Sequence, residues 1–93
     1  MDDKKLLKEI LETTIDFLSN SVESVWSPLS PEEVIKNLKK QIENLKYDRP
    51  IDKILLGVEF APTSTIQEIS IANNWTKEFL KLSAEFDDLI KKI

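Results

Sequence analysis

The clearest structural signal in this sequence is the segment at residues 30–46, SPEEVIKNLKKQIENLK. Ser30 and Glu33 have the Ser-x-x-Glu spacing of a capping box, in which the serine hydroxyl accepts a hydrogen bond from a free amide of the first turn. Pro31 takes the first helical position, where its missing amide hydrogen is harmless. We therefore predict a helix from Pro31 to about Lys46, with an inward apolar stripe made of Val34, Ile35, Leu38, Ile42 and Leu45.

A long amphipathic helix is predicted upstream, over roughly residues 3–25. Asp2 and Asp3 stand at its start, where carboxylates can cap free amides and complement the positive end of the helix dipole. Pro28 and Pro31 then prevent the helix from running on into the next one. The stripe that defines this helix consists of Leu7, Leu11, Thr14, Leu18, Ser21 and Val25, widened by Ile10, Ile15 and Val22.

Residues 51–60 fit two different periods. The first period is helical and is shown by Ile51, Ile54, Leu55 and Val58. In this helix Asp48 would be the N-cap and Pro50 would lie in the first turn. Strand alternation is shown by Ile54, Leu56, Val58 and Phe60. A strand here would need residues 66–72 as its partner in a hairpin. The helix is the favoured interpretation, and a β-hairpin at 53–72 is the alternative.

The last third of the chain carries a second long helical stripe, made of Ile66, Ile69, Ala72, Trp75, Phe79, Leu82, Phe86, Leu89 and Ile93. Ser64 and Thr65 precede Gln67 and Glu68 at capping-box spacing, which indicates a helix start. Asn73 and Asn74 can interrupt the stripe, because asparagine tolerates left-handed backbone geometry. The result would be a short helix at 64–72 followed by a longer one at 74–92. The predicted fold is one all-α domain, residues 1–93, a bundle of four or five helices; the alternative is α+β with the hairpin.

Composition excludes several classes of function. The chain has 17 acidic and 13 basic residues, a net charge of −4, and Arg49 as its one arginine. Nucleic acid is therefore a poor partner, since phosphate neutralisation requires a basic surface. Cysteine and histidine are absent and Gly57 is the single glycine, which argues against thiol chemistry, zinc sites and glycine-rich phosphate loops. No metal or cofactor is predicted.

The location expected from the sequence is the cytoplasm. Charged residues at the amino terminus, such as Lys8 and Glu9, interrupt the apolar run before it reaches the length of a signal peptide. No segment approaches the roughly 20 apolar residues that a membrane span requires. A membrane association is therefore not expected, and the sequence carries no signal for a particular oligomeric state.

Acidic pairs at helical spacing, Glu12 with Asp16 and Glu78 with Glu85, are interpreted as solvated surface charge rather than as catalytic groups, because lysines lie beside them. The candidate binding residues are instead aromatic and polar side chains in or near the connections: Trp26, Tyr47, Ser64, Thr65, Asn74 and Trp75. Simpler structural roles are available for most of them, since Trp75 lies on the apolar stripe and the hydroxyls can serve as helix caps. Trp26 and Tyr47 lie in connections, where a binding surface would leave them partly exposed.

The first functional hypothesis is a non-enzymatic acidic helical module for protein–protein interaction, such as an adaptor or a toxin-neutralising partner. The acidity of the chain suits a basic partner. The alternative is a small-ligand-binding domain with a site near the tryptophans and the loop at 61–65. An enzyme ranks last, because the residues that usually carry catalysis are missing.

Overall fold

The computed structural model describes residues 3–22, 30–61 and 64–93. This part of the chain contains five α-helices and no strand: α1 (Asp3–Ser19), α2 (Pro31–Lys46), α3 (Lys53–Glu59), α4 (Thr65–Ala72) and α5 (Thr76–Ile90). The all-α prediction is confirmed. The alternative hairpin at 53–72 is not supported, because its two proposed strands are α3 and α4.

Helix α2 begins and ends as its sequence predicts. The backbone amide of Glu33 donates to the Ser30 hydroxyl at 3.3 Å, and Ser30 has the extended conformation of an N-cap. At the other end Asp48 has a positive φ of 56°, and the amide of Arg49 donates back to the carbonyl of Asn44 at 2.7 Å. This arrangement is a Schellman motif with aspartate in the position that glycine usually takes.

Helix α1 ends at Ser19, so the prediction of a helix to residue 25 was wrong for residues 20–22, and 23–25 lie outside the described residues. Ser19 and Ser21 donate their hydroxyls to carbonyls four residues earlier, each at 2.8 Å, and Asn20 uses its amide group in the same way. Such side chains compete with backbone amides for helical carbonyls. Val22, predicted to face inward, is exposed.

Helix α3 was predicted correctly as a helix, but its start and its buried face were predicted wrongly. Asp52, rather than Asp48, is the N-cap, and its carboxylate accepts the amide of Leu55 at 2.9 Å. Ile54 and Val58, on the predicted inner face, are 83% and 63% exposed. The inward face is formed by Leu56, Glu59 and Phe60.

Two long-range hydrogen bonds accompany this rotation of α3. Gln41 of α2 accepts the backbone amide of Asp52 at 2.8 Å, just before the helix. Ser83 of α5 donates to the carbonyl of Phe60 at 2.7 Å, just after it. The ring of Phe60 stacks on Phe86 with centroids 4.6 Å apart. Burying the large ring of Phe60 contributes more to the stability of the fold than burying Ile54 or Val58 would. This difference favours the observed face of α3.

The hydrophobic core draws on all of the helices. Helix α1 packs against α2 and α5, and α4 packs against α5 and α2. The predicted stripes of α4 and α5 are confirmed except at Ala72, which is exposed, and Asn73–Asn74 interrupts them as expected. The fully or almost fully buried side chains at the centre include Leu7, Leu11, Leu38, Ile69, Phe79 and Phe86.

Candidate functional site

A groove runs along the surface between α1 and α5. Its larger part has a volume of about 440 Å³, and an adjoining part of about 310 Å³ shares Thr13, Leu82 and Glu85 with it. Leu6 and Leu89 line only the larger part and Phe17 and Glu78 line only the adjoining part, so the two helices run antiparallel along the groove. The other lining residues are Glu9, Ile10, Phe17, Glu78, Lys81 and Asp88.

The floor of this groove is formed by almost fully buried side chains at the edge of the hydrophobic core. Ile10, Leu82 and Leu89 retain 6%, 8% and 8% of their exposure, whereas most other core side chains retain 1% or none. Leu6 and Phe17, which line the groove at its two ends, are only partly buried. The groove therefore presents apolar surface that the bundle itself leaves incompletely covered.

The rim of the groove is acidic. Four carboxylates and one lysine line the rim, so its net charge is −3 (1 − 4). The net charge of the whole chain is −4. The ion pairs within the described residues lie elsewhere, between Lys4 and Asp48 and between Arg49 and Glu43. The acidic rim thus creates a negative potential over the apolar floor. Its carboxylates belong to Glu9, Glu78, Glu85 and Asp88.

Trp75 supports one end of the groove from behind. Its side chain is 5% exposed and stacks on Phe17 with ring centroids 4.9 Å apart. Its indole Nε1 donates to the hydroxyl of Ser21 at 2.9 Å. The expected core position of Trp75 is confirmed, and its polar atom is already used inside the protein.

Ser64, Thr65 and Asn74 serve the two ends of α4. The Ser64 hydroxyl accepts the backbone amide of Gln67 at 3.1 Å, as an N-cap, and Thr65 is the first helical residue. Asn74 has a φ of 64° and lets the chain leave the helix, with the amide of Trp75 donating to the Ser70 carbonyl at 2.9 Å. An eight-residue helix is about 12 Å long, so these side chains do not converge on one pocket.

Tyr47 is the predicted binding residue that the structure leaves accessible. It is 60% exposed at the end of α2, with the Lys46 ammonium 5.6 Å and the Arg49 guanidinium 5.3 Å from its ring centroid. Beside it, Lys4 forms a 2.7 Å ion pair with Asp48 and thereby lowers the pKa of that carboxyl group. Trp26 lies outside the described residues.

Glu59 is a buried carboxylate that sequence reasoning missed. It is 4% exposed, and its Oε2 has no hydrogen-bond partner among the described residues. Burial raises the pKa of Glu59, and a hydrogen bond with the Asn37 side chain opposes this shift. The available signal was the spacing of Glu59 from Leu56, three residues away on the same helical face. Glu59 does not line the α1–α5 groove.

The groove was missed as well, although part of its signal was visible in the sequence. Glu78 and Glu85 form a helically spaced pair in the sequence, but the position of Glu85 across the groove from Glu9 depends on how α5 packs on α1. The described residues contain no cluster of potential metal ligands. None of the described helices has the length and apolar character needed to cross a membrane.

Comparisons with known proteins gave no match to a family model, to a curated protein or to a solved structure. Function is therefore inferred from the groove itself.

Proposed function

We propose that this chain is a non-enzymatic interaction module that binds a basic segment of another protein in the α1–α5 groove, in the manner of an adaptor or a neutralising partner. The observation that carries the proposal is the combination of an apolar floor with an acidic rim on one surface. Neither feature alone would indicate a partner, since acidic helix faces are common on soluble domains.

The two features of the groove contribute in different ways. Covering the partly buried Leu6 and Phe17 with apolar side chains removes apolar surface from water and supplies affinity, at roughly 25 cal/mol per Å² of apolar area. Glu85 and Asp88 attract cationic groups, accelerate association and disfavour acidic competitors. Binding of this kind weakens as salt rises, because exposed charges are screened.

The positions of the other candidate residues also favour the groove. Ser64 uses its hydroxyl as a helix cap, and Trp75 donates its indole hydrogen to Ser21. These polar atoms are already paired within the protein, so they offer little to a small ligand in the region of the 61–65 loop. The groove, in contrast, has apolar surface without a partner from the described part of the chain.

A site-specific photo-crosslinker in the native host tests this proposal. Placed at Thr13, which is exposed on the groove wall, it should capture a protein through a lysine- or arginine-rich segment. Placed at Lys39, which is exposed on α2, it should not capture that protein. Mass spectrometry of the crosslinked peptides identifies the captured segment.

A pair of matched charge variants completes the experiment. The double variant Glu85→Gln/Asp88→Asn removes two rim carboxylates and should abolish the crosslink from Thr13. The control Glu32→Gln/Glu33→Gln removes the same charge from α2, and glutamine preserves the capping box there. Equal capture by both variants, or capture of acidic segments, would contradict the proposal. A small molecule that protects Thr13 from crosslinking would also contradict it, because the groove would then be a ligand site.

A further inference from the structure

We infer, on the basis of the proposed function, that the occupant of the groove is a single amphipathic α-helix of about three turns with cationic residues on both flanks of its apolar stripe. We further infer that this helix lies parallel to α1, with its N-terminal end beside Asp88. The length of the groove, the nature of its walls and the distribution of its charges each support one part of this inference.

The length of the groove matches a short helix. The lining residues on α1 extend from Leu6 to Phe17, and those on α5 extend from Glu78 to Leu89. Each span is about 16 Å at a rise of 1.5 Å per residue, which corresponds to roughly three helical turns. An apolar stripe at positions i, i+3 or i+4, and i+7 covers this distance with one row of side chains.

The walls of the groove favour a helix over an extended peptide. Both walls are helices, whose backbone amides and carbonyls are bonded internally apart from those at the ends. Within the described ranges no strand edge is present to pair with an extended chain. An extended peptide would therefore bury backbone groups over Ile10 and Leu82 without partners, whereas a helix satisfies its own backbone.

The acids on both walls require cations on both flanks of the occupant. Glu85 and Asp88 are three residues apart on α5 and belong to one side of the groove, while Glu9 projects from α1 on the other side. A helix between them places its flanking side chains beside each wall, as in helical bundles where charged flanks set the choice of partner. Acidic flanks would be repelled, and a neutral helix would leave the rim charges uncompensated.

The uneven distribution of charge along the groove sets the direction of the helix. Glu9, Glu85 and Asp88 line the larger part, next to Leu6, whereas Glu78 and Lys81, which are opposite in charge, line only the part that reaches Phe17. The N-terminus of a helix carries a partial positive charge. It is therefore more stable at the acid-rich end, and the helix then runs from Asp88 towards Phe17.

Synthetic peptides test the shape of the occupant. The first probe is a fluorescein-labelled, amidated peptide of about 14 residues, with leucines at helical spacing and lysines on both flanks. A second peptide has the same composition in an order that destroys the helical phase, and a third carries two central prolines. In fluorescence anisotropy the first should bind at least about tenfold more tightly than the others, and Glu85→Gln/Asp88→Asn should weaken it several-fold while Glu32→Gln/Glu33→Gln does not.

The outcomes separate the inference from the proposed function. If the reordered and proline peptides bind as tightly as the first, with the same dependence on Glu85 and Asp88, the occupant is not a helix although the groove binds basic segments. If Thr13 crosslinks a basic partner but no peptide binds, the helical occupant is again wrong. If neither crosslinking nor peptide binding occurs, both the inference and the proposed function fail.

The direction of the helix has its own measurement. A nitroxide at the N-terminus of the first peptide should broaden the backbone amide signals of Leu6 and Asp88, and one at its C-terminus should broaden those of Phe17 and Glu78. The opposite pattern would show an antiparallel arrangement relative to α1 and would overturn the directional part of the inference. Equal broadening at both ends would do the same, because it would mean that both directions are populated.

Discussion

Trp75 and Ser21 join two parts of the chain that are 54 residues apart, through a 2.9 Å hydrogen bond from the indole Nε1 to the serine hydroxyl. The same serine donates to the carbonyl of Phe17, whose ring stacks on Trp75. Next to it the Asn73 carboxamide accepts the amide of Val22 at 2.9 Å and donates to its carbonyl at 3.0 Å. These contacts hold the C-terminal end of α1 against the start of α5, and hence position Phe17 at the end of the groove.

Replacing Ser21 by alanine should destabilise the protein. The substitution leaves the buried indole nitrogen of Trp75 without its partner, which costs about 1–2 kcal/mol. Ser19→Ala is the control, because Ser19 is exposed and bonds only to its own helix at Ile15, so its effect should stay within about 0.5 kcal/mol. Urea unfolding followed by tryptophan fluorescence measures both. Equal midpoints for the two variants would mean that the Trp75–Ser21 bond contributes nothing to stability.

The pH dependence of stability should contain a contribution from Glu59. Its pKa is raised in the folded state by burial, so the folded protein binds the proton more tightly than the unfolded chain. Protonated Glu59 therefore contributes its full share to the free energy of unfolding below the unfolded pKa of about 4.3. This contribution is lost as the pH rises through the higher pKa of the folded state.

Glu59→Gln isolates this contribution, because the amide resembles the protonated acid. The variant should be more stable than the parent at pH 7, and the difference should disappear as the pH falls below about 4. Glu32→Gln, at an exposed position, should show no such pH-dependent difference. The lowered pKa of Asp48 acts in the opposite sense in both proteins and cancels in the comparison. A constant offset between parent and Glu59→Gln at all pH values would contradict the prediction.

The observed face of α3 can be checked with two alanine substitutions on the same helix. Leu56 is fully buried, so Leu56→Ala should cost about 2–5 kcal/mol through loss of burial and creation of a cavity. Val58 is exposed, and Val58→Ala should change stability by no more than about 0.5 kcal/mol. Thermal unfolding followed by circular dichroism distinguishes them. A larger effect at Val58 would restore the face expected from the helical spacing of the sequence.

The groove variant Glu85→Gln/Asp88→Asn should fold as well as the parent. Both carboxylates are exposed in the second half of α5, where negative charge opposes the helix dipole, so removing them should leave the stability unchanged or slightly higher. The midpoint of thermal unfolding measures this directly. A lowered midpoint would show that the two acids stabilise the bundle. Binding would then be measured with the single variants Glu85→Gln and Asp88→Asn, to separate loss of charge from loss of stability.

Several features of the fold were predictable because the interactions that cause them are local. The start of α2 depends on Ser30 and Glu33, three residues apart, and the end of α4 depends on the left-handed geometry available to Asn74. Each signal is complete within one helical turn, so it can be recognised without knowledge of the partner helices.

The face that α3 buries was not predictable in the same way. Seven residues make only about two turns, and its sequence offers one face with Ile54 and Val58 and another with Leu56 and Phe60. The second face also carries Glu59, a residue type that is seldom buried. The observed face is accompanied by hydrogen bonds between Gln41 and the amide of Asp52 and between Ser83 and the carbonyl of Phe60. Gln41 and Ser83 belong to other helices, so these bonds cannot be read from the sequence of α3.

By itself the sequence determined the helical class, the capped starts of α2 and α4 and the break between α4 and α5, because side chains and backbone within a few residues decide them. Tertiary structure alone decided the rotation of α3, the pairing of Trp75 with Ser21 and the groove. Glu9 and Asp88 are 79 positions apart (88 − 9) and meet across one surface only because α1 and α5 pack antiparallel. Charge and hydrophobicity can be counted along a chain, but a binding surface depends on which distant residues the packing brings together.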